Sequence, residues 1–413
     1  MKKEKAKIQD GFYAAEQFFE CASKACKSAD CPVFTQDEKN EAELRDYEGR
    51  TALVTEKFIP GFLYRPLKAQ TCSEEEAFAT LAKIDDGLFV SELYDCDKLS
   101  YRAYPLSVMP AAMEYICGGA EKIMLLTADY AENLVGADRI CESSVETFAF
   151  YPAGCNELCG KMLAGAEYNG IAFLPAEVSI DAAEKALLNF SDSPAVQELL
   201  QRLGKKQLTV YRTSLLSVIP LITVFLSVCS DLATGGETEC GEKITFFVPE
   251  NCPDLVYAGI LAKKAGLPVG EIVYAGECFD AFLPESAVAV AVTEKEKAAA
   301  LRYYYEEYGI ITDSASAAAL AALDKHCVEE GTLSVVLSAR SPYTDAGFAL
   351  RAIGEASRFD MVESAEKLEN LTAFPVPEKI LAAKRLKASV PGILSDMEKT
   401  FIAGLKLQNG GLR

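Results

Sequence analysis

The chain has 413 residues, half of them hydrophobic and a quarter charged, which is enough for two domains with real cores. Its 41 basic and 61 acidic residues leave a formal charge of −20 with no basic stripe to offset it, so nucleic-acid binding is not expected. The charged start, Met1-Lys-Lys-Glu-Lys, runs into no apolar core, so no signal peptide is expected.

The 14 cysteines are scattered through apolar segments and read as small buried thiols of a reducing cytosol. Cys21, Cys26 and Cys31, and the pair Cys155 and Cys159, are spaced more widely than a zinc knuckle. His326 is the only histidine, at the end of a predicted helix and read as solvated, so neither a metal centre nor a Ser-His-Asp mechanism is expected.

In chain order, a helix is predicted from Phe12 to Lys27, then polar sequence, then strand-like pieces with prolines over Thr51 to Leu67. Ser73-Glu-Glu-Glu76 before Ala77 to Leu81 reads as a capped helix, and Leu88 to Leu93 as a strand. Alternation follows, with strands at Ile123–Thr127, Thr147–Tyr151 and Ile171–Leu174, and helices at Ala131–Ala137, Asn156–Ala166 and Asp181–Phe190. A second series starts near Leu208. Its uncharged stretch Thr213 to Ser230 carries Ser217, Pro220, Thr223 and Ser227, and is read as a buried core helix rather than a membrane span.

Ile244 to Val248 then reads as a strand, Leu255 to Ala262 as a helix stopped by Gly266-Leu-Pro, and Glu271 to Ala275 as the next strand. Such a unit is a right-handed crossover whose ligands sit beyond the strand end, here Pro249 to Asp254. A strand at Ala287–Thr293, a helix from Glu294 to Tyr308 with the capping box Thr293/Glu296, a helix at Ala315–Cys327 and a strand at Leu333–Ser338 complete the pattern. Pro375-Val-Pro-Glu introduces a helical tail. The fold class expected is α/β, with two parallel-sheet domains: a divergent segment 1–91, a smaller domain 92–205 and a larger one 206–413.

Four stretches carry a resemblance to threonine synthase, a pyridoxal-phosphate enzyme of fold type II (tryptophan synthase β-like). Glu92-Leu-Tyr-Asp-Cys-Asp-Lys-Leu-Ser-Tyr-Arg102 resembles the family's Glu-Leu-Phe-His-Gly-Pro-Thr-Leu-Ala-Phe-Lys. Leu126-Thr-Ala128 resembles the start of Leu-Thr-Ala-Thr-Ser-Gly-Asp-Thr-Gly. Val248-Pro through Val269 is similar to Val-Pro-Ser-Gly-Asn-Phe-Gly-Asp and the helix after it, and Leu337-Ser-Ala-Arg-Ser-Pro342 to Leu-Gly-Thr-Ala-His-Pro. Order and spacing agree from Glu92 to about Gly354, while residues 1–91 do not match.

The resemblance implies a Schiff-base lysine where this chain has Arg102, and a guanidinium cannot form that imine. Lys98 is the nearby substitute, placed by the resemblance in the loop before the helix. The implied phosphate loop is Asn251-Cys252-Pro253-Asp254. There Pro253 removes an N–H donor, and Asp254, read as a helix N-cap, puts a negative charge where a dianion should sit. The implied substrate loop is Tyr130-Ala131-Glu132-Asn133-Leu134, without the family's glycines and with Glu132 opposing an anion. Ala339 stands at the ring-nitrogen threonine, Ser341 at the histidine after it, and Asp313-Ser-Ala-Ser-Ala317 at the second histidine segment.

Three readings follow. The first is a protein that keeps the fold, has lost pyridoxal-phosphate catalysis, and acts as a binding or regulatory module, alone or with a partner subunit. The second is an active threonine synthase or related lyase with pyridoxal phosphate, converting O-phosphohomoserine to threonine through a displaced lysine. The third is an altered cleft in which Arg102, Arg212 and Arg340 hold a small anionic, amino-acid-like ligand.

Overall fold

In a computed structural model the described residues are 31–65, 80–94, 98–117, 122–127, 131–135, 145–152, 157–165, 171–176, 193–202, 204, 207–211, 215–238, 242–276, 286–329, 331–356, 361–372, 375–385, 399 and 401–402. The helices expected at Phe12–Lys27 and Asp181–Phe190, the start of the one at Ser73, and the positions Tyr130 and Arg212 lie outside them.

Two sheets carry the architecture. The larger has the order β1-β2-β10-β7-β8-β9, from Thr80–Asp85, Leu88–Glu92, Leu333–Ser338, Ile244–Val248, Val269–Ala275 and Val288–Val290. All its pairings are parallel except β1 with β2. The smaller is wholly parallel, β5-β4-β3-β6, from Ile171–Ala176, Glu146–Pro152, Lys122–Thr127 and Gln207–Tyr211. β6, just after residue 205, pairs with β3 of the smaller sheet.

Sequence and structure agree closely where the β-branched runs are fully buried, as in β7 and β10, every residue of which is inside. They part in three places. Thr80 and Leu81, expected at the end of a helix, begin β1, which turns through Asp86-Gly87 and pairs Thr80 with Glu92. Gly87 supplies the positive φ of 74° that such a hairpin needs. Residues 51–58, expected as strand-like, belong to a helix, α2 (Tyr47–Phe58), which follows α1 (Gln36–Glu43). Both begin at side-chain caps, Thr35 with Glu38 and Asp46 with Gly49 N–H, and those local bonds outweigh the β propensity of Thr51, Val54 and Thr55. The third is the described part of the helix expected at Ala131–Ala137, where Ala131–Leu134 form a 3₁₀ turn.

The remaining described helices are α3 (Ala103–Cys117), α4 (Glu157–Gly165), α5 (Pro194–Arg202), α6 (Leu215–Thr234), α7 (Pro253–Lys264), α8 (Glu294–Tyr308), α9 (Ser314–Lys325), α10 (Ala346–Ala352), α11 (Met361–Thr372) and α12 (Glu378–Arg385). Helix α6 is the core post. It packs against α1, α2, α3 and α7. Its window Ser217–Thr234, long and apolar enough to cross a membrane, is 83% buried inside the protein. Arg50 of α2 locks onto it, pairing with Asp231 at 2.6 Å and donating to the Ala42 carbonyl at 2.8 Å. Gly259 lets α7 come in close: a Cβ there would lie 2.8 Å from the Phe225 ring and 2.9 Å from Ile272. That approach sets where the start of α7, and the loop before it, meet the strand ends. At the other end of the chain, α12 packs on α4, and Phe401 meets Phe148 of β4 edge-on at 5.2 Å.

Candidate functional site

The carboxyl ends of β2, β7, β8 and β10 converge on one polar cluster, the place where an open parallel sheet takes its ligands. The loop after β7 turns through Asn251, which has φ 58° and is the one non-glycine residue with positive φ among the described residues. Asparagine tolerates that left-handed conformation better than most side chains. Its N–H donates to the Tyr274 hydroxyl at the end of β8, 3.0 Å away, and its carbonyl accepts from Arg102 Nη2 at 3.0 Å. Helix α7 then opens with Cys252 as N-cap and Pro253 in its first turn.

Asp254, expected to cap this helix, does not. Cys252 is the cap and no side chain bonds there, so Asp254 sits one residue inside the helix and its carboxylate turns to other partners. It is 3% exposed, accepts from the Tyr101 hydroxyl at 2.6 Å and faces Arg102 Nε at 3.4 Å. Arg102 Nε also donates to the Tyr101 oxygen at 2.8 Å. Burial first, and then the adjacent Asp254 charge, hold the Tyr101 hydroxyl well above its ordinary pKa despite Arg102, so it stays a proton donor. Arg102 and Asp254, taken from two separate sequence motifs, thus meet as one nearly buried ion pair.

Two further arms reach the cluster. The Ser100 hydroxyl donates to Asn133 Oδ1 at 2.8 Å, in the 3₁₀ turn after β3. Ser100 also bridges Arg340 through the backbone, and Tyr101 N–H donates to the Ala339 carbonyl at 2.9 Å. Ala339 N–H is taken in turn by Ser316 Oγ at 2.9 Å, whose hydroxyl bonds Asp313, the buried N-cap of α9. Burial raises the Asp313 pKa while the Arg340 charge pulls it back. Cys252 lies within electrostatic reach of both Arg340 and Arg102. Burial nevertheless dominates and pushes its thiol up to about 12, so it is no nucleophile at neutral pH. Ser341 also belongs here, its N–H donating to the Leu99 carbonyl at 3.0 Å.

The expected residues therefore divide. Arg102, Asn251, Cys252, Pro253, Asp254, Ala339 and Arg340 are brought together, and Asn133 joins them through Ser100. Ala131, Glu132 and Leu134 share the 3₁₀ turn with Asn133, and Leu134 is buried. Burial, and then the Asp46 charge, raise the Glu48 pKa, and the Lys98 charge offsets part of that rise. His326 caps the end of α9 and bonds Glu271 at 2.8 Å, well apart from these partners. Sequence reasoning missed Tyr101, Tyr274 and the buried Lys297, which pairs with Glu250 at 2.5 Å and with Glu294. Burial alone would lower the Lys297 pKa, but its bonds to those two carboxylates raise it. The signal available for Tyr274 was its place at the end of a parallel strand. Among the described residues no group of three or more metal-ligating side chains could hold an ion.

The two sheets and their strand orders define the fold of the type II pyridoxal-phosphate enzymes. Within that class the chain is similar to threonine synthase from Escherichia coli, at 15% identity and TM-score 0.67 over 93% of this chain and 96% of the other. Threonine synthase from yeast gives 13% identity and TM-score 0.67, covering 92% of each chain. Pyridoxal-phosphate-bound threonine synthase from Brucella melitensis gives 14% and 0.61, over 90% of this chain and 97% of that one. No protein-family model matches the sequence, and no curated protein matches it. At such identities the likeness establishes the fold.

The donor set does not fit pyridoxal phosphate. The resemblance puts the imine-forming amine at a guanidinium and the phosphate beside the Asp254 carboxylate, and those two groups are already bonded to each other. The Ala339 methyl offers no hydroxyl to a ring nitrogen, and its backbone N–H and C=O are both engaged.

Proposed function

We propose that this protein keeps the threonine-synthase fold without pyridoxal-phosphate catalysis and works in the cytosol as a binding or regulatory module. The observation that carries the reading is the Arg102–Asp254 pair. It joins the position of the Schiff-base lysine to the position of the phosphate loop. A catalytic relative needs the first as a neutral amine and the second as a ring of N–H donors. Lys98, the amine the catalytic alternative relies on, lies four residues before Arg102, and its charge acts on Glu48. The ligand class that suits the cleft is a small anionic, amino-acid-like molecule, able to exchange with Asp254 at Arg102 or with Asp313 at Arg340.

The test is covalent. The purified chain is incubated with pyridoxal phosphate, reduced with borohydride and mapped by mass spectrometry. The reading expects scattered, substoichiometric labelling of surface lysines. One stoichiometric phosphopyridoxyl-lysine, at Lys98 or elsewhere, would restore the catalytic alternative. A thermal-shift series with amino acids and phosphorylated amino acids then tests the ligand class.

A further inference from the structure

Three consecutive residues hold three different strand-end loops. Ser100 reaches the turn after β3 through Asn133 at 2.8 Å. Tyr101 and Arg102 reach the loop after β7, through Asp254 at 2.6 Å and the Asn251 carbonyl at 3.0 Å. The backbone of the same tripeptide holds the segment after β10, with Tyr101 N–H on Ala339 at 2.9 Å and Ser100 bridged to Arg340. By the resemblance, these three loops are the ones that receive the substrate acid, the cofactor phosphate and the ring nitrogen. Ser100 and Tyr101 are fully buried, and the Arg102 side chain keeps 17% of its surface.

We propose that Ser100-Tyr101-Arg102 is a built-in occupant of the cleft: a brace that joins the three loops from within and keeps them ordered with no cofactor bound. The proposal rests on the reading of lost catalysis and adds the means by which the fold tolerates that loss. In a cofactor enzyme the bound ligand itself stabilises the folded site, and removing it withdraws that stabilisation. Here the tie is covalently part of the chain, so it holds the loops with no ligand bound. The brace also ties the smaller sheet to the larger, because Asn133 follows β3 while Asp254 and Ala339 follow β7 and β10.

Amide hydrogen exchange on the full chain, without added ligand, tests this with Ser100→Ala and Tyr101→Phe, each of which removes one hydroxyl and no bulk. In the wild type, segments 131–135, 249–256 and 339–342 should exchange slowly, and millimolar pyridoxal phosphate or inorganic phosphate should leave them unchanged. Tyr101→Phe should speed exchange at 249–256 by about tenfold or more, the effect of losing one hydrogen bond to a charged group. Ser100→Ala should act at 131–135 instead. Loops that already exchange fast in the wild type, or are slowed by pyridoxal phosphate, overturn the proposal. So does a variant that leaves its loop unchanged or speeds α8 and α9 equally. A phosphopyridoxyl-lysine found together with loop-specific exchange would sink the functional reading and leave the brace standing.

Discussion

Replacing Arg102 by Met removes the guanidinium and keeps most of the apolar stem, so the change falls on Asp254. At 3.4 Å the pair attracts by about 5 kcal/mol for an effective dielectric of about 20, and desolvation offsets part of that. Removing one partner of a buried pair costs about 3–5 kcal/mol, because the other charge is left stranded. The 17% exposure of Arg102 and the remaining Tyr101 bond put this case at the low end, about 3 kcal/mol. Asp254→Asn keeps an acceptor for Tyr101 and leaves Arg102 its Asn251 carbonyl, so about 1–2 kcal/mol is expected. The double variant has neither stranded charge and should lose about 2–3 kcal/mol rather than the sum, a coupling near 2 kcal/mol. Urea denaturation of all four proteins measures it. Losses that add to within about 0.5 kcal/mol would show that the two groups do not act as a pair, and would refute the reasoning.

Further predictions concern packing, pH and thiol chemistry. Gly259→Ala gains up to about 1 kcal/mol of helix propensity but drives a methyl into the Phe225 ring and Ile272, so a net loss of about 1–2 kcal/mol is expected; an unchanged or raised urea midpoint would show that α7 has room to spare. The bond to Lys325, with those to Thr293, lowers the Glu296 carboxyl to about 2, below its ordinary 4.5. A depressed carboxyl stabilises the fold above its unfolded value, so this contribution should be present at neutral pH and fade as pH falls from about 4.5 to about 2. Glu296→Gln should therefore flatten the denaturation midpoint over that window, and parallel pH profiles would contradict the assignment. In the native chain, a thiol reagent should label exposed Cys327 and spare Cys229 and Cys252, both raised to about 12 by burial, until denaturant is added. Peptide mapping that finds Cys252 labelled first would place its thiol outside the core.

The sequence by itself determined the frame. The β-branched runs Ile244–Val248 and Leu333–Ser338 read as interior strands and are, and the Thr293/Glu296 box starts α8 through bonds made within four residues. By the resemblance it also puts a guanidinium, Arg102, where the family has its imine-forming amine, and no fold turns a guanidinium into an imine former. Local bonding misled the reading elsewhere. The pair Asp86-Gly87 signalled a hairpin that a capping pattern at Ser73 obscured, and the caps of α1 and α2 lay in sequence that reads as irregular. Only the tertiary structure decided what Asp254 does, because a cap and a buried ion pair look the same from one end of a helix. Its partners Tyr101 and Arg102 are about 150 positions away, 153 from Tyr101 to Asp254, and meet it only because β2, β7 and β10 lie side by side. Pairings of that separation come from the order of strands in a sheet, a long-range property to which no local pattern of side chains points.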